Sequence, residues 1–273
     1  MNNLVTRTIT GIVFAILVIG AIIWNPFILA LLMAIFTFIG SKEYVMLLKN
    51  KQIYHKLTPF ICSSLIIYII SAFVGLNLLS SSYLFIIPII AFLYVLISLF
   101  NPHARPFEEI GSAIFGFLYV PIPFSMMIWA IDFHPSSGSM NFYTLLGFFI
   151  ILWMNDTFAY LTGSLIGKHK LFPRISPKKT WEGSIGGAVF GLLFAVGIYF
   201  TTNTLTIQSW LIIGLLTVIL GSLGDLVESM LKRNANVKDS GAILPGHGGV
   251  LDRFDAALFS IPFITAYLYM FIY

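Results

Sequence analysis

Between Ser229 and Asp255 the sequence SMLKRNANVKDSGAILPGHGGVLDRFD gathers Lys232, Arg233, Lys238, Asp239, His247, Asp252, Arg253 and Asp255 into one short interval, in a chain that is only 10% charged. Pro245, Gly246, Gly248 and Gly249 make the second half of this interval a turn or tight loop, leaving backbone N–H groups free to face an anion. Basic side chains, two spaced carboxylates and a glycine-rich bend are the parts needed to hold a polyphosphate and a metal ion. Asp252 and Asp255 stand where an apolar run begins, a place where a carboxylate often only caps free N–H groups. For Asp255 the two readings balance. For Asp252 the adjacent glycines and Arg253 favour metal coordination, and His247 is a candidate phosphate donor.

Two more carboxylates lie inside apolar runs, where ionisable groups are costly and default to function. Asp156, preceded by Asn155, sits about 21 Å along its run from the end opposite the basic loops. Asp225 lies near the same mouth, and Asp225, Glu228 or Ser229, and Lys232 follow helical spacings that align them in one stripe. The plainer account of that stripe is a Glu228–Lys232 ion pair, with Asp225 the sharper candidate for chemistry. A second basic cluster, GKHKLFPRISPKKTWE from Gly167 to Glu182, contains Lys178 and Lys179 and is kept from being a plain helix by Pro173 and Pro177. Anchoring to anionic headgroups accounts for its charge, at about 1 kcal/mol per basic residue, but not for its compact Ser176–Gly183 arrangement. Gly183, Gly187 and Gly191 follow at four-residue spacing, which permits close helix approach. Gly163 to Lys168 fails the P-loop pattern, and no HExxH, CxxC, GxSxG or EF-hand pattern occurs, so hydrolase and protease readings lose support.

The elements that must position these residues are membrane helices. A chain of 273 residues that is 58% hydrophobic, with 26 Phe, holds too much apolar surface for one water-soluble core. Its mean hydropathy is +0.94. The single cysteine, Cys62, excludes an intramolecular disulfide and a cysteine-based zinc site. About nine runs are long enough to cross the bilayer, roughly 4–24, 26–48, 57–79, 83–100, 114–131, 142–166, 183–201, 207–231 and 254–273. Pro121 and Pro123 predict a kink or break in the fifth. All 15 basic residues fall on one side of this nine-span arrangement, in or near the N-terminal segment and the even-numbered connections, which places those, the N-terminus and the active-site loops in the cytoplasm of a multi-pass plasma-membrane protein. The expectation is an all-α polytopic protein forming a single membrane domain over residues 1–273, with residues 1–130 as its less informative front helices and 142–273 carrying the chemistry. The first run ends in Ile23, Trp24, Asn25 and Pro26, without a small-residue cleavage pattern, and is read as a retained helix.

The Ser229–Asp255 interval resembles the signature of the phosphatidate cytidylyltransferase, or CDP-diacylglycerol synthase, family. Ser229, Leu231, Lys232, Arg233, Lys238, Asp239, Gly241, Leu244, Pro245, His247, Gly248, Gly249, Val250, Asp252, Arg253, Phe254 and Asp255 satisfy it without departure. The Ser176–Gly183 segment resembles the family's second characteristic loop, and the resemblance is strong from about Asn155 to Asp255. It implies transfer of the cytidylyl group of CTP to phosphatidic acid, releasing pyrophosphate and forming CDP-diacylglycerol. It further implies Mg²⁺, with room for K⁺ as a second ion. Asp225 and Asp252 are then the principal metal ligands, with Asp255 and Asp156 as weaker ones. Lys178, Lys179, Lys232, Arg233, Lys238 and Arg253 clamp phosphates, with Ser229, Asp239, His247, Gly248 and Gly249 also on the substrates, and Asp225, Asp252, Lys232 and Arg233 closest to the reaction. Partners would be the two substrates and membrane lipids, with no nucleic acid; the close-approach glycines permit a homodimer. Rival readings are a secondary transporter with intramembrane carboxylates and a CTP-dependent polyprenol or lipid kinase.

Overall fold

Backbone placed in hydrocarbon must satisfy its own N–H and C=O groups, so the apolar runs close into helices. The computed structural model describes residues 3–53, 55–97, 100, 105–241 and 248–273. Ten helices are described in chain order: α1 (Asn3–Trp24), α2 (Pro26–Lys49), α3 (Leu57–Gly75), α4 (Ile86–Ile97), α5 (Pro106–Tyr119), α6 (Pro121–Trp129), α7 (Tyr143–Ile166), α8 (Trp181–Thr202), α9 (Ile207–Asn234) and α10 (Leu251–Phe271). Two antiparallel hairpins interrupt them, β1 (Asp132–His134) with β2 (Ser139–Asn141), and β3 (Lys170–Phe172) with β4 (Ser176–Thr180). Among the described residues seven helices are long and apolar enough to cross a membrane, α5 and α6 counting as one span, Pro106–Trp129. The first and fourth apolar runs correspond to the shorter apolar stretches Thr10–Trp24 and Ser81–Ile97. The protein is an all-α polytopic membrane protein.

The chain divides into two compact units, one of residues 1–141 with 234–254, the other of 142–233 with 255–273. In the first, the break expected at Pro121 separates α5 from α6: Pro121 opens α6 with no N–H to donate, and Val120, at φ −111°, ψ −73°, is the junction residue that ends α5 and precedes α6. α3 and α6 are held by Trp129 Nε1 donating to the Ser71 carbonyl at 2.8 Å and by the Ser125 hydroxyl donating to Ser71 Oγ at 2.7 Å. Phe36, Phe124 and Phe254 form an aromatic cluster with ring centroids 5.1–6.2 Å apart, joining α2 and α6 to the start of α10.

In the second unit α8 carries two unlike faces. Ile185, Val189 and Leu193 are exposed as a lipid-facing surface, while Gly183, Gly187 and Gly191 are buried. A Cβ at Gly187 would lie 2.6 Å from the Asn155 carbonyl oxygen and 2.8 Å from Ala159 Cβ, and one at Gly183 would lie 2.7 Å from the Ala159 carbonyl oxygen. Gly183 and Gly187 therefore serve close packing on α7 of the same chain, while a Cβ at Gly191 would lie 2.8 Å from Val218 of α9. α9 approaches α10 by the same device: a Cβ at Gly224 would meet the Asp255 carbonyl oxygen at 2.7 Å. That packing sets Asp225 beside the first turns of α10.

Candidate active site

The loop expected to be non-helical around Pro173 and Pro177 is the β3–β4 hairpin, with Lys170 opposite Thr180 and Phe172 opposite Ser176. Glu182 ties its base. The carboxylate accepts the Lys168 N–H at 3.1 Å, the His169 N–H at 3.2 Å and a 2.6 Å contact from His169 Nδ1. Thr180 then caps α8, its hydroxyl oxygen accepting the Gly183 N–H at 3.1 Å. The hairpin and helix are thus locked in sequence, which delivers Lys178 and Lys179 to a cleft of about 390 Å³.

That cleft runs along the C-terminal halves of α7 and α9 and the start of α8, and its walls include Asp156, Lys178, Lys179, Ser184, Ser222 and Asp225. Lys179 Nζ lies 2.6 Å from Asp225 Oδ2 and donates to the Ser222 carbonyl at 3.2 Å. Ser229, one turn further along α9, donates its hydroxyl to Asp225 Oδ1 at 3.2 Å. Both oxygens of Asp225 are therefore oriented. Asp156 accepts from the Asn155 amide at 3.3 Å, and Asp156, Asp225 and Asp255 are close enough for their charges to act on one another. Among the described residues no group of three or more His, Cys, Asp or Glu side chains has the spacing to hold a metal by itself. A magnesium ion needs only one or two carboxylates when substrate phosphates and water complete its shell, and this donor set fits that requirement, with Lys179 marking where positive charge is already held.

The alternative offered for Glu228 is what the structure contains: Glu228, 1% exposed, pairs with Lys232, 12% exposed. The Lys232 ammonium is thus anchored within α9, and its charge also acts on Asp255. Arg233, Lys238, Asp239 and Arg253 are exposed, as is Lys178. His247, Leu244, Pro245 and Gly246 lie outside the described residues. Gly248 has φ +82°, a conformation that favours glycine.

Asp252 belongs to the first unit, where it organises the signature loop. Its Oδ2 accepts the Ser240 N–H at 2.8 Å, the Ser240 hydroxyl at 2.9 Å and the Gly249 N–H at 2.7 Å. Beside it stands a residue that no sequence motif marked, Glu43 of α2, 5% exposed. Glu43 Oε1 accepts the Val250 N–H at 3.0 Å, and Oε2 accepts the Leu251 N–H at 2.9 Å and lies 3.2 Å from the Ser240 hydroxyl. A lone glutamate between Lys42 and Tyr44 near the end of an apolar run carries no periodic signal. Its burial depends on a segment some 200 residues away in the chain.

These features define a class, a polytopic helical membrane protein with a cleft lined by carboxylates and lysines. The chain belongs to the cytidylyltransferase family, whose model matches residues 5–271. It is 36% identical over 267 residues to a phosphatidate cytidylyltransferase of Staphylococcus saprophyticus, covering 96% of this chain and 98% of that protein. It is 34% identical over 269 residues to the protein of that name from Staphylococcus aureus, again covering 96% and 98%. A shorter match, 46% identical over 135 residues, covers 48% of this chain and 46% of a phosphatidate cytidylyltransferase of Haemophilus influenzae. The resemblance seen in the signature residues is borne out at the level of the whole chain.

Proposed function

We propose that this protein transfers the cytidylyl group of CTP to phosphatidic acid, giving CDP-diacylglycerol and pyrophosphate, as a nucleotidyltransferase of phospholipid biosynthesis. The observation that carries this reading is the oriented Asp225–Lys179 pair in a polar cleft among membrane helices, in a chain whose full-length relatives bear the name of that activity. A phosphate oxygen of phosphatidic acid forms the new bond to the α-phosphorus of CTP, and the bond from that phosphorus to the bridging oxygen breaks, pyrophosphate leaving with the electron pair. The attacking phosphate has a second pKa near 6 by analogy with phosphorylated side chains and is largely ionised at neutral pH, so no protein base is required. What the chain must supply is in-line positioning and neutralisation of charge.

Asp225 is the carboxylate assigned to Mg²⁺, with Asp156 and Asp255 as its neighbours and K⁺ as a candidate second ion. Bound there, magnesium would neutralise the charge gathered on the departing pyrophosphate. Lys179 exchanges its carboxylate partner for a phosphate oxygen when the nucleotide enters, and Lys178 beside it contacts the same phosphates. Asp252 holds the signature loop through Ser240 and Gly249, and so sets the positions of Lys238 and Arg253; the family signature also assigns it to Mg²⁺. The one-sided distribution of basic residues supports a cytoplasmic site, where a soluble nucleotide meets a lipid whose acyl chains remain in the bilayer. The experiment is turnover of purified protein with phosphatidic acid, CTP and Mg²⁺. Asp225→Asn and Asp252→Asn are each expected to abolish product while the protein stays folded in detergent; substantial residual activity in either removes that residue from the metal assignment.

A further inference from the structure

Glu43 is a buried acidic residue that the transfer reaction itself does not call upon, and its contacts reach two separate stretches of backbone. It reaches from α2 to both ends of the glycine-rich segment at once. At the entry it meets the Ser240 side chain, next to Lys238 and Asp239; at the exit it takes the N–H groups of Val250 and Leu251, immediately before Asp252 and Arg253. The N–H groups at the start of a helix have no partner within it, and α10 receives its partner from a distant helix rather than from a local cap. Ser240 is shared, its hydroxyl lying 3.2 Å from Glu43 and 2.9 Å from Asp252.

Two glycines of the segment lie against the same carboxylate. A Cβ at Gly241 would come within 2.8 Å of Glu43 Cδ, and one at Gly249 within 2.5 Å of the same atom. An added Cβ at either position would push the Glu43 carboxylate away from its hydrogen-bond partners, so both glycines leave it room to stand where it does. A glutamate kept only to anchor α2 would need neither the paired glycines nor contacts on both arms of the loop.

We propose that Glu43 is a positioning residue for the transfer reaction: it pins the two ends of the signature loop together and thereby fixes the groups that flank it, Lys238, Asp239, Asp252 and Arg253. Glu43 touches no substrate in this account; it acts through Ser240 and the amides of Val250 and Leu251. The effect on turnover rests on the proposed cytidylyl transfer, whereas the pinning of the loop does not.

The test uses the full-length protein in detergent with Glu43→Gln, which keeps size and polarity but replaces one acceptor oxygen with a donor, and with Ser240→Ala. Hydrogen exchange at the Gly249–Leu251 amides is expected to accelerate in Glu43→Gln while exchange in α7 and α8 is unchanged. kcat is expected to fall on the order of 100-fold, as displaced reacting groups cost, with KM for CTP moving less than about threefold. Because both residues act through one clamp, the double variant should lose little more than the worse single variant. Unchanged amide exchange in Glu43→Gln, wild-type kcat, or multiplicative losses in the double variant would each overturn the proposal. If wild-type protein forms no CDP-lipid, the reading of the reaction fails, and the exchange data still decide whether Glu43 pins the loop.

Discussion

Replacing Lys179 by Met is expected to move two quantities in opposite directions. The lysine ammonium sits 2.6 Å from Asp225 Oδ2 and 3.2 Å from the Ser222 carbonyl, with the two side chains 25% and 35% exposed. A hydrogen bond to a charged group contributes about 1.5–3 kcal/mol, and the partial exposure of both partners screens the pair toward the lower end, about 1–2 kcal/mol. A divalent ion seeking Asp225 must displace that ammonium. Removing it should therefore tighten Mg²⁺ binding by roughly 5- to 30-fold, at about 1.4 kcal/mol per factor of ten. The same substitution removes the phosphate contact proposed for Lys179, and kcat should drop about 10- to 100-fold. Magnesium titration by calorimetry on the substrate-free protein gives the first number, and initial rates at saturating Mg²⁺ give the second. Weaker or unchanged Mg²⁺ affinity, or a kcat within twofold of wild type, would refute the idea that Lys179 and the metal compete for Asp225.

Other expectations follow from packing and ionisation. His55 lies between α2 and α3 with Nδ1 2.9 Å from the Tyr94 hydroxyl and Nε2 2.8 Å from Ser112 Oγ, whose own proton goes to the Glu108 carbonyl at 2.6 Å. Burial pushes His55 down from 6.5 to about 4, so the folded state binds fewer protons than the unfolded one between those values. Its stabilising contribution is complete above pH 6.5 and is lost as pH falls toward 4, at up to about 1.4 kcal/mol per pH unit; thermal unfolding across that range should be flatter in His55→Asn. Gly187→Ala should cost about 1–3 kcal/mol, because its Cβ would press on the Asn155 carbonyl and Ala159. Gly197→Ala on the same helix, with nothing within 4 Å of the added Cβ, should leave the melting temperature unchanged or slightly raised. Glu182→Gln should expose the segment 168–180 to proteolysis, since that carboxylate holds both its backbone and His169.

Much of the second unit was legible in the sequence. Helices α7, α8 and α9 lie within a few residues of the apolar runs, because length and hydrophobicity determine them, and the Asp225–Ser229 and Glu228–Lys232 contacts follow from helical spacing alone. The pairing of Lys179 with Asp225 was less accessible, since it requires the β3–β4 hairpin to turn back along α9. Two prolines excluded a helix there, but the hairpin's closure depends on Glu182, which reads as an ordinary charged residue. Least legible was Glu43. Its role depends on contact with residues about 200 positions away, and apolar segments on either side give no sign of which helix will meet the signature loop. The glycine stripe on α8 was read correctly as a close-approach surface; only the structure identifies α7, at Gly183 and Gly187, and α9, at Gly191, as the neighbours that it meets.

The most direct measurement of the central claim is the fate of two labels. Purified protein in detergent is given phosphatidic acid, Mg²⁺ and CTP labelled in parallel at the α- or the γ-phosphate. The α-label is expected in the lipid and the γ-label in pyrophosphate, in equal amounts, and both are expected to vanish in Asp225→Asn. A γ-label recovered in the lipid, or lipid labelling that survives Asp225→Asn, would contradict the claim.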